Sequence, residues 1–248
     1  MGRHECDGLG HNSGYGSLST FTLQGWQECI QEARELKVLN LSGRPVASRI
    51  FPLPPTSLEH LILERCLLDF SSINVLPKLM SLNIKHCKVV IDLPSALVEM
   101  NALKEILIDG TDVEEINLPD NLMKRLKVLS ACHCKKLRRI PNFLNSCCMQ
   151  GLSFEGCAVI LDLPNSMEKL QNLNQLDLSE TMITQLNPSF GKLEKLEILR
   201  MRRSYLDEFP KAIEKTKVSR LHMNRTNYSN LEILEHADVL NVHILSDP

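Results

Sequence analysis

The chain has 248 residues and a formal net charge of −2. That length is enough to bury a large core, and a charge so close to zero predicts neither a nucleic-acid partner nor a membrane partner. Aromatic residues make up only 4% of the chain, whereas leucine occurs 42 times. A core rich in leucine and poor in aromatic residues indicates many equivalent small sites filled by the same side chain.

The N-terminal residues 1–17 ("MGRHECDGLGHNSGYGS") are polar and glycine-rich, and they lack the apolar stretch of a secretory signal. We interpret them as a disordered lead-in. For residues 18–35 we predict an N-terminal cap or a degenerate repeat, since "GWQECIQEAREL" can form a single helix. No apolar run approaches the roughly 18 residues of a membrane span. The predicted location is the cytoplasm, with the nucleus as the alternative.

A pattern of the form L-x-x-L-x-L-x-x-C/T recurs through the rest of the chain. Nine copies begin, at spacings of 21–24 residues, at Leu36, Leu58, Leu79, Leu103, Leu126, Met149, Leu173, Leu196 and Val218. A tenth, partial copy begins at Val239. This period and pattern are the leucine-rich-repeat signature. They predict one repeat domain over residues 36–248.

The spacing also predicts the architecture of that domain. Alternating apolar positions, as at Leu173, Leu176 and Leu178, lie on one face of a short strand. Such strands are too short to stand alone, so the copies stack and share one core. A second apolar group follows, often after a proline that can start a short helix. The predicted fold is an α/β repeat, a leucine-rich-repeat solenoid with a curved parallel sheet on the concave face and short helices, 3-10 turns and loops on the convex face.

The stretch "LSACHCKKLRRIP", residues 129–141, raises the question of a metal or redox site. Cys134 stands at the ninth position of its copy, which in most other copies also holds a small residue: Cys66, Cys87, Thr111, Cys157, Thr181, Ser204 and Thr226, against Arg44 in the first copy. Small side chains with weak or moderate hydrogen-bonding ability can satisfy buried backbone groups there. We therefore interpret Cys134 as a structural ladder residue.

The remaining cysteines also favour a structural reading. A zinc site needs four converging ligands, typically from C-x2-4-C spacings, and the C-x-C spacing of Cys132 and Cys134 does not match. Nine cysteines without a secretory signal indicate a reducing compartment. The sequence thus predicts no metal and no cofactor.

Stretches such as "LKVLSACHCKKLRRIPNFL" and "LNQLDLSETMITQLNPSFGKLEKLEILRM" resemble the repeats of plant intracellular disease-resistance receptors, above all the class with an N-terminal TIR domain. The resemblance covers roughly residues 36–245. The nucleotide-binding loop of that family, G-x-x-x-x-G-K-[ST], does not occur, and neither does a TIR domain, so the resemblance implies a truncated receptor. It implies protein partners (a pathogen effector, a guarded host protein or receptor domains) and a chain that is a monomer or part of a larger receptor.

Catalysis finds little support in the sequence, because no G-x-S-x-G, H-E-x-x-H or kinase motif occurs. The predicted function is therefore non-enzymatic protein–protein recognition, with the resemblance implying ligand sensing in defence signalling. The alternative is a leucine-rich-repeat scaffold or a ubiquitin-ligase substrate adaptor, which should carry an F-box-like helical segment before the repeats.

Partner binding is expected on the concave face, where the third, fifth, seventh and eighth positions of each copy point away from the core. The last two full copies place basic residues there, downstream of acidic ones. The candidate binding residues are Arg200, Arg202, Arg203, Arg220, His222 and Arg225, with Asp177, Glu180 and Glu155 upstream. The planar fork of arginine suits carboxylates and phosphates. The alternative is a solvated face whose two halves partly neutralise each other.

Overall fold

The computed structural model describes residues 35–43, 57–68, 75–89, 95–206, 213, 216–224 and 242–245. In these residues twelve strands occur: β1 (Val38–Asn40), β2 (His60–Ile62), β3 (Leu67–Leu68), β4 (Ser81–Asn83), β5 (Lys88–Val89), β6 (Glu105–Leu107), β7 (Val128–Ser130), β8 (Gly151–Ser153), β9 (Gln175–Asp177), β10 (Ile198–Met201), β11 (Arg220–Asn224) and β12 (Val242–Leu245). Ten of them form one sheet in the order β1-β2-β4-β6-β7-β8-β9-β10-β11-β12, and β3 pairs with β5.

Neighbouring strands of the large sheet are all parallel, and they pair position for position. Leu129, at the fourth position of its copy, pairs with Ile106 on one side and Leu152 on the other. The tenth copy keeps the same register, since His222 pairs with His243. The predicted fold class is confirmed. The predicted lead-in and cap fall on residues 1–35 and lie, apart from residue 35, outside the described residues, so those boundaries stay predictions.

The core lies against one face of the large sheet, the face that carries the apolar positions of the repeat. Leu126, Leu129 and Ala131 are all 0% exposed, as the alternating pattern predicts. The second apolar group of each copy closes the same core, and Met167 and Leu170 are buried in it. Each copy thus contributes one layer to a continuous apolar interior.

Short helices cover the other side of the core. In the described residues they include 3-10 helices at Ser95–Val98, Asn165–Lys169 and Pro188–Lys192 and a single α-helical turn at Asp120–Met123. Asn187 caps the third 3-10 helix by accepting a hydrogen bond from the Ser189 amide at 3.0 Å. No helix follows Pro141, where the chain instead makes a turn closed by the Ser146 amide on the Phe143 carbonyl. Proline therefore directs the chain without always starting a helix.

Eight strands of the large sheet, all except β11 and β12, lead into a described turn in which the eighth residue of the copy has a positive φ. In the eight copies whose eighth position is described, φ lies between 52° and 73°, at Gly43, Arg65, His86, Gly110, His133, Gly156, Glu180 and Arg203. This region disfavours any residue except glycine. The conformation aims the eighth amide at the next copy, as when the His133 amide donates to the Glu155 carbonyl at 2.5 Å. That bond between repeats offsets the backbone strain.

The ninth position completes the turn with a side-chain hydrogen bond. The thiols of four cysteines donate to the sixth-position carbonyl of the preceding copy: Cys66 to Leu41 (3.2 Å), Cys87 to Leu63 (2.7 Å), Cys134 to Ile108 (3.2 Å) and Cys157 to Ala131 (2.9 Å). Thr181, by contrast, donates to Leu178 of its own copy at 2.7 Å. Burial raises the pKa of Cys87 to about 11, so this thiol keeps the proton that it donates. Cys134 is thus a ladder residue.

We expect Leu129→Ala to lower the free energy of unfolding by roughly 2–5 kcal/mol, because the substitution leaves a cavity in a close-packed core. Leu161→Ala is the matched control, since Leu161 is 58% exposed whereas Leu129 is 0% exposed. Urea unfolding of both variants and the parent chain measures the difference. Similar losses for the two leucines would contradict the register described above.

We expect Gly156→Ala to destabilise the chain by about 1–3 kcal/mol, because a side chain there must adopt a positive φ. The added Cβ would also clash with Nδ1 of His133. Gly151→Ala is the control within the same copy, because its Cβ would meet only Val128, at 3.7 Å. Comparing the thermal unfolding of the two variants separates the effect of backbone strain from the effect of replacing a glycine. The prediction fails if Gly156→Ala melts no lower than Gly151→Ala.

Candidate protein-binding surface

The exposed face of the large sheet carries the third-, fifth- and seventh-position side chains in rows. One fifth-position row runs through Ser153, Asp177, Arg200 and His222, which pair in sequence across β8 to β11. A third-position row ends with Ile198 beside Arg220. Adjacent strands lie about 4.8 Å apart, so residues in one row are close enough to interact. The charge pattern of this face therefore depends on which residues share a row.

Asp109, in the middle of the sheet, is fully engaged by its neighbours. Its carboxylate accepts hydrogen bonds from Ser130 Oγ at 2.6 Å and from the Cys132 amide at 2.9 Å, and it pairs with Lys85 Nζ at 2.8 Å. Burial would raise the pKa of Asp109, but the hydrogen bonds from Lys85, Ser130 and the Cys132 amide lower it below its ordinary value. Burial would lower the pKa of Lys85, and Asp109 more than offsets this and raises it. Asp109 is thus a structural charge.

Cys132 and His133 do not form a catalytic pair. Cys132 Sγ lies 3.0 Å from Ser153 Oγ and 3.4 Å from Ser130 Oγ, and burial raises the pKa of this thiol, which disfavours the nucleophilic thiolate. His133 is turned onto the next copy, with Nδ1 against Gly156. Among the described residues, no group of three or more His, Cys, Asp or Glu side chains is placed to hold a metal ion.

The acidic candidates upstream of the arginines are largely occupied by bonds within the chain. Asp177 is buried, and its carboxylate accepts a hydrogen bond from the Ser179 amide at 3.0 Å. Ser179 Oγ in turn accepts one from the Arg202 amide at 3.1 Å. Glu180 forms an ion pair with Arg203, with Oε1 and Nη1 3.0 Å apart. Glu155 is half-buried, and its backbone carbonyl accepts a hydrogen bond from the His133 amide.

The basic candidates lie together at one end of the described sheet. Arg200 and Arg202 extend from β10 and the turn after it, beside Arg220 and His222 on β11. Arg202 and Arg220 are exposed and Arg200 is half-buried; Arg202 Nη2 lies 3.4 Å from Nδ1 of His222. We call Arg200, Arg202 and Arg220 the arginine patch. Within the described part of the chain none of the three forms an ion pair with a carboxylate, unlike Arg203. Arg225 lies outside the described residues.

Two ion pairs between neighbouring copies, neither predicted from the sequence, decide which charges remain available. Lys85 and Asp109 occupy the seventh position of consecutive copies, and Glu180 and Arg203 occupy the eighth. Opposite charges at the same position of neighbouring copies are the signal that could have identified both pairs. The use of the candidate residues as a binding site stays a prediction.

Comparisons with known proteins find relatives among plant disease-resistance proteins. The chain is 27% identical over 179 residues to At4g19050, an Arabidopsis thaliana protein named for disease resistance, which covers 70% of this chain. It is 27% identical over 194 residues to SUPPRESSOR OF npr1-1, CONSTITUTIVE 1 of the same plant, covering 77% of this chain. It is 23% identical over 193 residues to disease resistance protein RPS4B, covering 66%. These matches span only 15%, 13% and 16% of the relatives' own lengths. No family model matches.

Two solved structures with the same fold are bacterial proteins. The leucine-rich-repeat protein LIC12759 of Leptospira interrogans superposes with a TM-score of 0.62 at 21% identity, over 86% of this chain and 62% of that one. An internalin of Listeria monocytogenes gives a TM-score of 0.50 at 19% identity, over 90% and 80% of the two chains. None of the helices in the described residues is both long and apolar enough to cross a membrane.

These two sets of comparisons agree with the sequence repeat and with the parallel sheet. The chain has the leucine-rich-repeat fold and is similar over most of its length to plant disease-resistance proteins.

Proposed function

We propose that this chain is a non-enzymatic protein-recognition module that binds an acidic segment of a partner protein through the arginine patch. The observation that carries this proposal is that Arg200, Arg202 and Arg220 have no carboxylate partner in the described residues, whereas Arg203 has Glu180. A solenoid offers an extended surface whose side chains the core does not need. Charges left unpaired on such a surface are available to a partner.

Arginine supports this role through its geometry. Its planar guanidinium presents several donors in a rigid fork that matches a carboxylate or a phosphate. Arg200 and Arg220 stand on adjacent parallel strands, so their guanidinium groups can engage consecutive acidic residues of an extended segment. Two of the three upstream carboxylates do not neutralise the patch, because Asp177 is buried and Glu180 is paired with Arg203.

The similarity to plant disease-resistance proteins supports a more specific role. We infer that the chain acts as the ligand-sensing repeat domain of a plant intracellular immune receptor, with a pathogen protein, a guarded host protein or another receptor domain as its partner. The ladder thiols are consistent with an intracellular setting, because cysteines stay reduced there and Cys87, Cys134 and Cys157 are free thiols.

Charge reversal tests the proposal. We expect the triple variant Arg200→Glu, Arg202→Glu and Arg220→Glu to lose at least about tenfold of its partner capture in proximity labelling from plant cells, because each reversal replaces attraction to an acidic partner with repulsion. The readout is quantitative mass spectrometry of the labelled proteins, with binding to each recovered partner then measured at two salt concentrations.

The control makes the same change in charge elsewhere. Lys135→Glu, Arg138→Glu and Arg139→Glu reverses three exposed cations beyond the strand face, and this variant should capture the same partners as the parent chain. Equal capture by all three proteins would contradict the arginine patch as the recognition surface. Recovery of ubiquitin-ligase subunits as the main partners would favour the substrate-adaptor alternative over an immune sensor.

A further inference from the structure

In the described residues a tight turn precedes five strands of the large sheet, and its two central residues face away from the core. The amide of the first residue of the copy closes this turn on the carbonyl three residues earlier, as from Leu79 to Leu76 and from Leu173 to Leu170. The central pairs are Pro77–Lys78, Asn101–Ala102, Cys147–Cys148, Gln171–Asn172 and Glu194–Lys195. The turn therefore accepts side chains of very different chemistry.

Cys147 and Cys148 stand out because nothing in this turn requires a thiol. The ladder cysteines are buried and donate to backbone carbonyls. The Cys147 thiol also donates to a backbone carbonyl, that of Lys124 at 3.8 Å, but Cys147 is exposed and Cys148 is half-buried. The residue before them, Ser146, is also unusual, since it is buried where Leu76 and Leu170 stand in other copies. Its hydroxyl has no hydrogen-bond partner among the described residues.

The two thiols are held close together by a well-supported turn. The sulfur atoms are 4.0 Å apart. The Met149 amide closes the turn on the Ser146 carbonyl at 3.3 Å. From the next copy, Asn172 Nδ2 donates to the Cys147 carbonyl at 2.7 Å. Both flanking residues, Ser146 and Met149, are 0% exposed. The pair is thus presented on a fixed backbone rather than on a free loop.

The distance between the two sulfur atoms suits two ligands of one metal ion. Two thiolates on one tetrahedral metal ion, each with a metal–sulfur bond of about 2.3 Å, lie about 3.8 Å apart. The observed separation fits a shared metal ion with almost no movement of the backbone.

We propose that Cys147 and Cys148 form a two-thiolate site for one soft divalent metal ion. Both thiols lose a proton on binding, two metal–sulfur bonds form, and no electrons are transferred. In the described residues no third histidine, cysteine or carboxylate joins the pair, so solvent completes the coordination. An open site of this kind exchanges its metal with solution, unlike the closed four-ligand sites that hold a fold together.

The pH dependence follows from the two protons. Because the metal displaces protons, its affinity rises with pH while both thiols are protonated, by up to about a hundredfold per pH unit. The arginine patch takes no part in this site, so the two proposals stand or fall separately.

Cadmium titration of the full chain tests the site. In a background with Cys6→Ser and Cys29→Ser, we expect one Cd²⁺ per chain, detected by the ultraviolet charge-transfer band of the cadmium–thiolate bond and by native mass spectrometry. Either Cys147→Ser or Cys148→Ser should lower the affinity by at least about tenfold, because loss of one ligand removes the chelate. Cys132→Ser is the control and should bind as the background does.

Several outcomes would overturn the proposal. One is an affinity unchanged within twofold in both single variants, which would mean that the two thiols act independently or not at all. Another is a Cys147–Cys148 disulfide in the purified chain that leaves no cadmium bound. Thermal melts of each variant check the fold, which an exposed Cys→Ser change in this turn should not disturb.

Discussion

The fold depends on the hydrogen bonds that attach each repeat to the next at the turn after the strand. Repeats of this kind contact only their neighbours, so every copy needs its own connection to the stack. The eighth amide donates to the following copy, and the ninth side chain, where it is cysteine, donates to the preceding one. These bonds satisfy backbone groups that the short strands leave unpaired, since a buried unpaired group is costly.

That connection constrains the sequence in a specific way. The eighth residue must have a positive φ, so glycine is favoured there, yet His86 and His133 occupy the position in two copies. In both cases the copy that follows has a glycine, and the imidazole lies against it: His86 against Gly110 and His133 against Gly156. The space left by the missing side chain of one copy is therefore used by the ring of its neighbour.

The same stacking determines which charges face solvent unpaired. Lys85 and Asp109 neutralise each other, as do Glu180 and Arg203, because identical positions of consecutive copies lie side by side. The sheet then continues into Arg200, Arg202 and Arg220, for which the described neighbours supply no carboxylate partner. A chain of nearly zero net charge can in this way present a locally basic surface. The turns before the strands act differently, because their central residues face away from the core, which leaves room for the paired thiols of Cys147 and Cys148.

The sequence by itself determined the repeat, its register and its core. The spacing of leucines every 21–24 residues identifies strands such as Val128–Ser130 and the buried face of each, because alternation along a strand is a local property of the backbone. The ladder role of Cys134 could also be predicted, because the ninth position recurs with small polar residues. The acceptor of its thiol could not, because the Ile108 carbonyl belongs to the preceding copy.

Only the tertiary structure decided which of the polar residues on the strand face are free to bind. Asp109, Ser130 and Asp177 appear in the sequence as solvated polar residues, but they accept or donate hydrogen bonds that hold the face together. The 4.0 Å separation of the Cys147 and Cys148 sulfurs likewise depends on side-chain rotamers within a turn, and no pattern of residues specifies these. The physical reason is that pairing across repeats joins residues about twenty positions apart, and the distances between their side-chain atoms are set by how the copies stack.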